Sequence, residues 1–151
     1  IGQRVWIWNA GWGRPNGTAA SLVVLPQQQA VALPDNVPGE VGACLGIPAL
    51  TAAHAVLTDG GVAGQRVLVA GGAGAVGNYA IQFARLLGAR QGITTVSSPA
   101  KAEVARTAGA DVVVDYRSEN VVERISEATD GARVDRVIEV VLKMKESEMK
   151  I

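Results

Sequence analysis

The sequence predicts an α/β fold, a doubly wound parallel sheet preceded by a β-rich segment. Three observations predict it. From residue 66 onward, apolar strand-like runs alternate with helical runs at regular spacing. A turn spaced Gly72-x-Gly74-x-x-Gly77 joins the first of those strands to the first helix. Ahead of residue 40 the pattern changes to short strand-like pieces set between glycine and proline turns. Strand and helix alternating in this way build βαβ units, whose strands are parallel.

The elements follow in chain order. Residues 4–9, 19–25 and 29–33 read as strands, with "GWGRPNG" and several prolines between them as turns. The small, apolar stretch "GEVGACLGIPALTAAHAVLTDG" reads as two short helices broken at Gly46 to Pro48. Residues 66–70 form a buried strand and 76–87 a helix, in which Val76, Ala80, Phe83, Ala84 and Leu87 recur at helical spacing and make one apolar face. A strand at 93–96, a helix at 99–108, a strand at 112–115, a helix at 119–129 and a strand at 134–141 complete the alternation. Gly88 and Gly109 follow the last turns of two helices, where a left-handed residue is usual. Ser98 before Pro99 is an N-cap followed by the proline that a first helical turn tolerates. Ser118 before Glu119 is a cap followed by a carboxylate that the helix dipole favours. The resulting domain expectation is a β-rich domain over 1–45 and a dinucleotide-type domain over 46–151.

Composition bounds the function. A chain of 151 residues suits one domain, or one and a piece of another. Aromatics are only 4%, so the core is built from Val, Ala, Leu and Ile. Fourteen basic side chains balance fourteen acidic ones, which argues against a nucleic-acid partner. No run approaches the ~20 apolar residues of a membrane span. One cysteine, Cys44, and one histidine, His54, preclude a disulfide within the chain and argue against a structural zinc site. A reducing, cytoplasmic setting is the expectation. The chain opens at Ile1 inside a strand-like run, without an initiator Met, and so reads as a segment of something longer.

The glycine turn carries the chemistry. Following a strand and opening a helix, it has the context of a Rossmann-type phosphate loop. Gly72 is expected to make the tight turn, Gly74 to let backbone approach a pyrophosphate, and Gly77 to let helix and strand pack closely. The free N–H groups of the first helical turn, at Ala75, Val76 and Gly77, would point at the phosphates. About 20 residues past the loop, where a ribose-binding acid would indicate NAD, the chain reads "TVSSPAK" and has no acid. Ser97 and Ser98 supply hydroxyls and Lys101 a cation, which suit a 2′-phosphate and favour NADP(H). The alternatives are plain N-capping for the serines and a solvated helix position for Lys101.

At this point the sequence resembles a family. "GIPALTAAHAV", "AGQRVLVAGGAGAVGNYAIQFARLLGA" and "TVSSPAKAEVARTAGADVVVDYR" are similar, in order, to the zinc-independent quinone oxidoreductases (zeta-crystallin-like) of the medium-chain dehydrogenase/reductase superfamily. "GTAASLVVLP" resembles the end of that family's GroES-like catalytic domain, so that the β-rich segment corresponds to a remnant of it and the rest to a partial Rossmann domain. The resemblance implies NADPH-dependent hydride transfer to a small quinone or activated enone. It implies Gly74 and Gly77 beneath the pyrophosphate, Ser98 and Lys101 at the 2′-phosphate, Tyr116 beside the adenosine phosphate and Thr51 near the nicotinamide. Read without the resemblance, Tyr116 is a strand-end aromatic capping the core and Thr51 a small helix residue. In the superfamily's alcohol dehydrogenases a zinc-binding cysteine lies four residues before the threonine matching Thr51. Ile47 stands there, Cys44 is three residues off, and no metal site is expected. No catalytic side chain is identified.

The chain departs from the family pattern in three ways. Past Val140 it becomes "VLKMKESEMKI", a charged, helix-prone tail without the family's later glycine turn and strands. Most of the GroES-like part has no counterpart. "ARQGITTV" is one residue longer than the family norm, which is expected to disturb the start of the second strand. Low turnover is therefore expected of the chain by itself. Family members pair through late strands lacking here, so a monomer or ill-defined aggregates are expected. Alternatives in other classes are an NADP-binding chain without catalysis, a structural protein in the manner of lens crystallins, and an enoyl reductase-type domain acting on carrier-bound acyl groups.

Overall fold

The computed structural model describes residues 1–139. Packing divides the chain into two compact units, Ile1–Leu50 and the residues from Thr51 onward.

In the first unit, β1 (Val5–Ile7) pairs antiparallel with β2 (Ala30–Ala32), Val5 opposite Ala32 and Ile7 opposite Ala30. The guanidinium of Arg4 closes the following turn by donating to the carbonyls of Pro34 (3.2 Å), Asp35 (3.0 Å) and Val37 (2.6 Å). Helix α1 (Gly39–Ala43) packs its Gly42 so tightly on Leu33 that a Cβ there would lie 2.8 Å from Leu33 Cδ2. The break expected at 46–48 is a π-type turn, Leu45–Ala49, built around Pro48. The strand expected at 19–25 does not form. Leu22 and Val24 are exposed, and Ala20 N–H is spent locally on the Thr18 carbonyl, so no neighbouring ladder fixes an extended chain there.

Helix α2 (Leu50–Leu57) leads into the second unit. Its core is a parallel sheet of β3 (Arg66–Val69), β4 (Gln91–Val96), β5 (Val112–Asp115) and β6 (Arg136–Ile138), in the spatial order β5-β4-β3-β6. Helices α3 (Ala75–Leu86), α4 (Pro99–Thr107) and α5 (Val121–Ala128) are the crossovers. Side chains alternate across the sheet as the pleat requires. Val67, Val69, Val96 and Ile138 face one core with Ala52, Val56, Ala80, Ile81, Ala84, Ala102 and Ala105; Leu68 and Ile93 face the other with Ile125. Helices on both faces make the sheet doubly wound, as expected. The strand order reverses between β3 and β6, and this switch point is where ligands bind in such sheets.

Several boundaries move. The buried stripe of α3 is Gly77, Ala80, Ile81 and Ala84, while Leu87, expected on that face, is exposed because the helix ends at Leu86. The extra residue in "ARQGITTV" does not disturb β4, since Arg90 N–H donates to the Gln65 carbonyl at 2.8 Å and Gln91 pairs with Arg66. β6 starts only at Arg136; just before it Asp135 N–H donates to the Arg66 carbonyl (2.9 Å) and the Asp135 carboxylate accepts from Arg66 N–H (2.7 Å). The expected end of that strand at Val140 and Val141, and the charged tail, lie outside the described residues.

Helix α5 is capped by Asn120, not Ser118. Asn120 Oδ1 accepts from the N–H groups of Val122 (3.1 Å) and Glu123 (3.4 Å). Ser118 and Glu119 are instead folded back on the Asp115 carbonyl. The Glu119 carboxylate accepts from Asp115 N–H and from Arg124 Nε, both at 2.7 Å. These bonds, the Asp115 N–H first and the Arg124 guanidinium second, hold its pKa below the ordinary carboxylate value. A carboxyl whose pKa is lower folded than unfolded stabilises fully above the unfolded value, and that contribution fades as pH falls through the folded one. Glu119→Gln is therefore expected to lower the urea midpoint at pH 7 modestly, since the group is solvent-screened, with the gap to the parent closing in acid below pH 4.5. A gap independent of pH would contradict this.

Candidate functional site

The site is the loop between β3 and α3 together with the ends of β4 and β5. The positive φ needed to leave β3 belongs to Gly71, at +70°, one residue before the Gly72 expected to make the turn. Gly71 N–H donates to Thr95 Oγ1 and Gly72 N–H to the Thr95 carbonyl, each at 3.2 Å. Gly72 serves close packing instead. A Cβ there would stand 2.2 Å from Thr94 Oγ1 and 2.6 Å from Ile81 Cδ1. Thr94 Oγ1 is fixed by donating to the Val69 carbonyl at 2.6 Å. At Gly77 a Cβ would stand 2.4 Å from the Gly71 carbonyl oxygen, so the first turn of α3 lies directly against the loop.

Gly74 is the N-cap of α3, extended and without a side chain to satisfy the turn. Its own N–H closes on the Gly71 carbonyl at 2.8 Å, and its carbonyl receives Asn78 N–H at 2.9 Å. Among the described residues no acceptor meets the N–H groups of Ala75, Val76 and Gly77. Gly74 and Ala75 are exposed, so these donors lie under an open surface. Three unmet N–H groups at the positive end of a twelve-residue helix favour an anion.

The neighbouring strand supplies the second half. Ser97, 8% exposed, accepts from Lys101 Nζ at 3.0 Å. Ser98 caps α4, its Oγ accepting from Lys101 N–H at 3.4 Å. Both serines are thus tied to Lys101, Ser98 as the N-cap and Ser97 as an anchor for the ammonium. Tyr116 N–H donates to the Val96 carbonyl at 3.1 Å, which puts Tyr116 beside the residue preceding Ser97. Its side chain is 53% exposed and therefore does not cap the core. Thr51 lies exposed in the first turn of α2, and no hydrogen bond among the described residues links it to the glycine loop. The structure thus gathers Gly72, Gly74, Ala75, Val76, Gly77, Ser97, Ser98, Lys101 and Tyr116 at one end of the sheet and leaves Thr51 apart from that network. Three contributors escaped the sequence reading: Gly71, Thr94 and Thr95. The Gly-Gly doublet and the Thr-Thr pair inside a buried strand were the signals, because a hydroxyl in a strand core needs a partner.

Gly72→Ala is expected to destabilise the chain by about 1–3 kcal/mol through overpacking. Adding Thr94→Ala should recover part of that loss, a non-additivity that urea unfolding of the two single variants and the double variant would measure. Strict additivity would contradict the contact.

The geometry can be set beside known proteins. The family model described as zinc-binding dehydrogenase matches residues 75–148. The quinone oxidoreductase of Pseudomonas aeruginosa is 39% identical over 120 residues, 79% of this chain and 37% of that protein. A phenolphthiocerol/phthiocerol polyketide synthase component of Mycobacterium tuberculosis is 37% identical over 140 residues, 91% of this chain and 6% of that protein. Among solved structures, the Escherichia coli quinone oxidoreductase complexed with NADPH superposes with a TM-score of 0.70 at 33% identity, covering 82% of this chain and 37% of that one. The chain therefore spans little more than a third of the quinone oxidoreductases it matches. Sequence, sheet order and glycine loop agree: the chain belongs to the medium-chain dehydrogenase/reductase superfamily.

Proposed function

We propose that this chain binds NADPH at the glycine loop and serves a zinc-independent reduction of a quinone or activated enone. One observation carries the reading: unmet amides of α3 and the Ser97–Lys101 pair stand at the same end of the sheet. The amides of Ala75, Val76 and Gly77 would hold the diphosphate. Lys101, held by Ser97, would meet a 2′-phosphate, with the exposed ring of Tyr116 beside the adenosine. Positions 72 and 77 admit no side chain, which keeps the first turn of α3 pressed against the loop. NADPH, when bound, supplies a hydride. The protein's own part is binding and orientation of the two reactants.

Zinc independence is part of this proposal, and it is supported by Ile47, which offers only an alkyl group at the position of the expected cysteine. The domain reading carries over as part of the proposal: residues 1–45 correspond to the GroES-like part and the remainder to the nucleotide domain. The expected low turnover of the chain alone, a cytoplasmic setting and the association state belong to it equally. A second reading, reduction of a carrier-bound enoyl thioester, is favoured by the similarity to a polyketide synthase component. It shares the cofactor site and differs only in acceptor.

Fluorescence titration tests the cofactor site. NADPH is expected to bind more tightly than NADH. Lys101→Gln should weaken NADPH by about tenfold or more, which is roughly 1.4 kcal/mol, and leave NADH unchanged. Equal weakening of both nucleotides, or none, would contradict the assignment. With NADPH bound, oxidation by a small quinone separates turnover from binding alone.

A further inference from the structure

We propose a second ligand site in the first unit, a cavity that takes a small apolar monocarboxylate through Arg14. The cavity measures about 560 Å³ and is formed by the segment between β1 and β2. Its walls are mostly small or aliphatic, with Ala10, Leu22, Val23 and Val24 among them, and Arg14 and Asn16 are the polar members. Leu22 and Val24 are 89% and 95% exposed, so an apolar body seated there would cover surface that is now wet.

Arg14 is oriented from behind. Its Nη2 donates to Gln29 Oε1 at 2.7 Å. Gln29 Nε2 in turn donates to the carbonyls of Trp8 and Asn9, each at 3.2 Å, at the end of β1. The guanidinium is therefore anchored on the small sheet through one nitrogen. Its other terminal nitrogen, Nη1, is shut off from solvent and has no acceptor among the described residues. A buried N–H of a charged group without an acceptor is unfavourable. No Asp or Glu lines the cavity to supply one. Arg14 itself lines the cavity, so a carboxylate seated there would supply the acceptor that Nη1 lacks. Charge complementarity selects the head group, since a guanidinium binds a carboxylate more strongly than a neutral carbonyl. The aliphatic walls select the body. The site lies wholly in the first unit and does not depend on the NADPH reading.

The test is an NMR titration of the ¹⁵N-labelled chain with hexanoate and, separately, with hexanamide, which keeps the body and removes the charge. Hexanoate is expected to shift the amides of Ala10, Asn16 and Val23, with hexanamide at least about tenfold weaker. Arg14→Gln should bring hexanoate down to the level of hexanamide, and Arg14→Lys should fall between. Equal binding of acid and amide, shifts confined to residues outside this segment, or no response to hexanoate would overturn the proposal. The comparison of acid with amide uses the parent chain, so it stands even where an Arg14 variant folds poorly.

Discussion

Helix α3 starts closer to its own loop than any side chain would permit. A Cβ at Gly77 would lie 2.4 Å from the Gly71 carbonyl, and one at Gly72 would lie 2.2 Å from Thr94 Oγ1. Two missing side chains therefore set where the helix begins, and the rest of the site follows. With the first turn pressed on the loop and Gly74 as a bare cap, the N–H groups at 75–77 are left without acceptors and under an open surface. Any larger residue at either position would push the helix away from the loop and the strand beneath it. The loop is held in turn by strand β4, whose Thr94 and Thr95 hydroxyls bond to Val69 and Gly71. Each such bond is worth only about 1 kcal/mol, but together they fix a segment that has no secondary structure of its own.

The sheet supports this arrangement. Val67 and Val69 face one helical layer and Leu68 the other, so β3 is buried on both sides and cannot slip register without exposing apolar surface. The order β5-β4-β3-β6 then places the loop after β3 beside a crossover to the opposite side. The same end of β4 delivers Ser97 and Ser98, just beyond the Thr95 that braces the loop. One strand thereby braces the glycine loop and delivers the two serines that hold Lys101. The first unit stands on different physics: a three-pair antiparallel ladder, an arginine folded onto three carbonyls, and few buried side chains.

The second unit was largely legible from sequence because its signals are redundant. Apolar strands, helical periodicity and left-handed glycines at 88 and 109 all point to one alternation, and each strand found its place. The N-cap at Ser98 was legible from its neighbour Pro99. Failures came where sequence offered equivalent choices. Ser118 and Asn120 are both good caps, and the choice between them was settled by Glu119 turning back to Asp115 N–H, a tertiary contact. Gly71 and Gly72 both can turn, and the buried Thr94 hydroxyl decided which one must lack a side chain. The apolar run at 19–25 has strand composition but no partner, and composition alone does not reveal that. The Ser97–Lys101 bond was foreshadowed by the residue types, while its geometry depended on the helix starting at Pro99.

At the centre of this account, the first-turn amides of α3 receive a diphosphate. Backbone amide NMR of the ¹⁵N-labelled chain during NADPH addition measures that contact residue by residue. The largest shifts are expected at Ala75, Val76 and Gly77, with smaller ones at Ser97 and Lys101. Saturating nucleotide that leaves those three amides unmoved would contradict it.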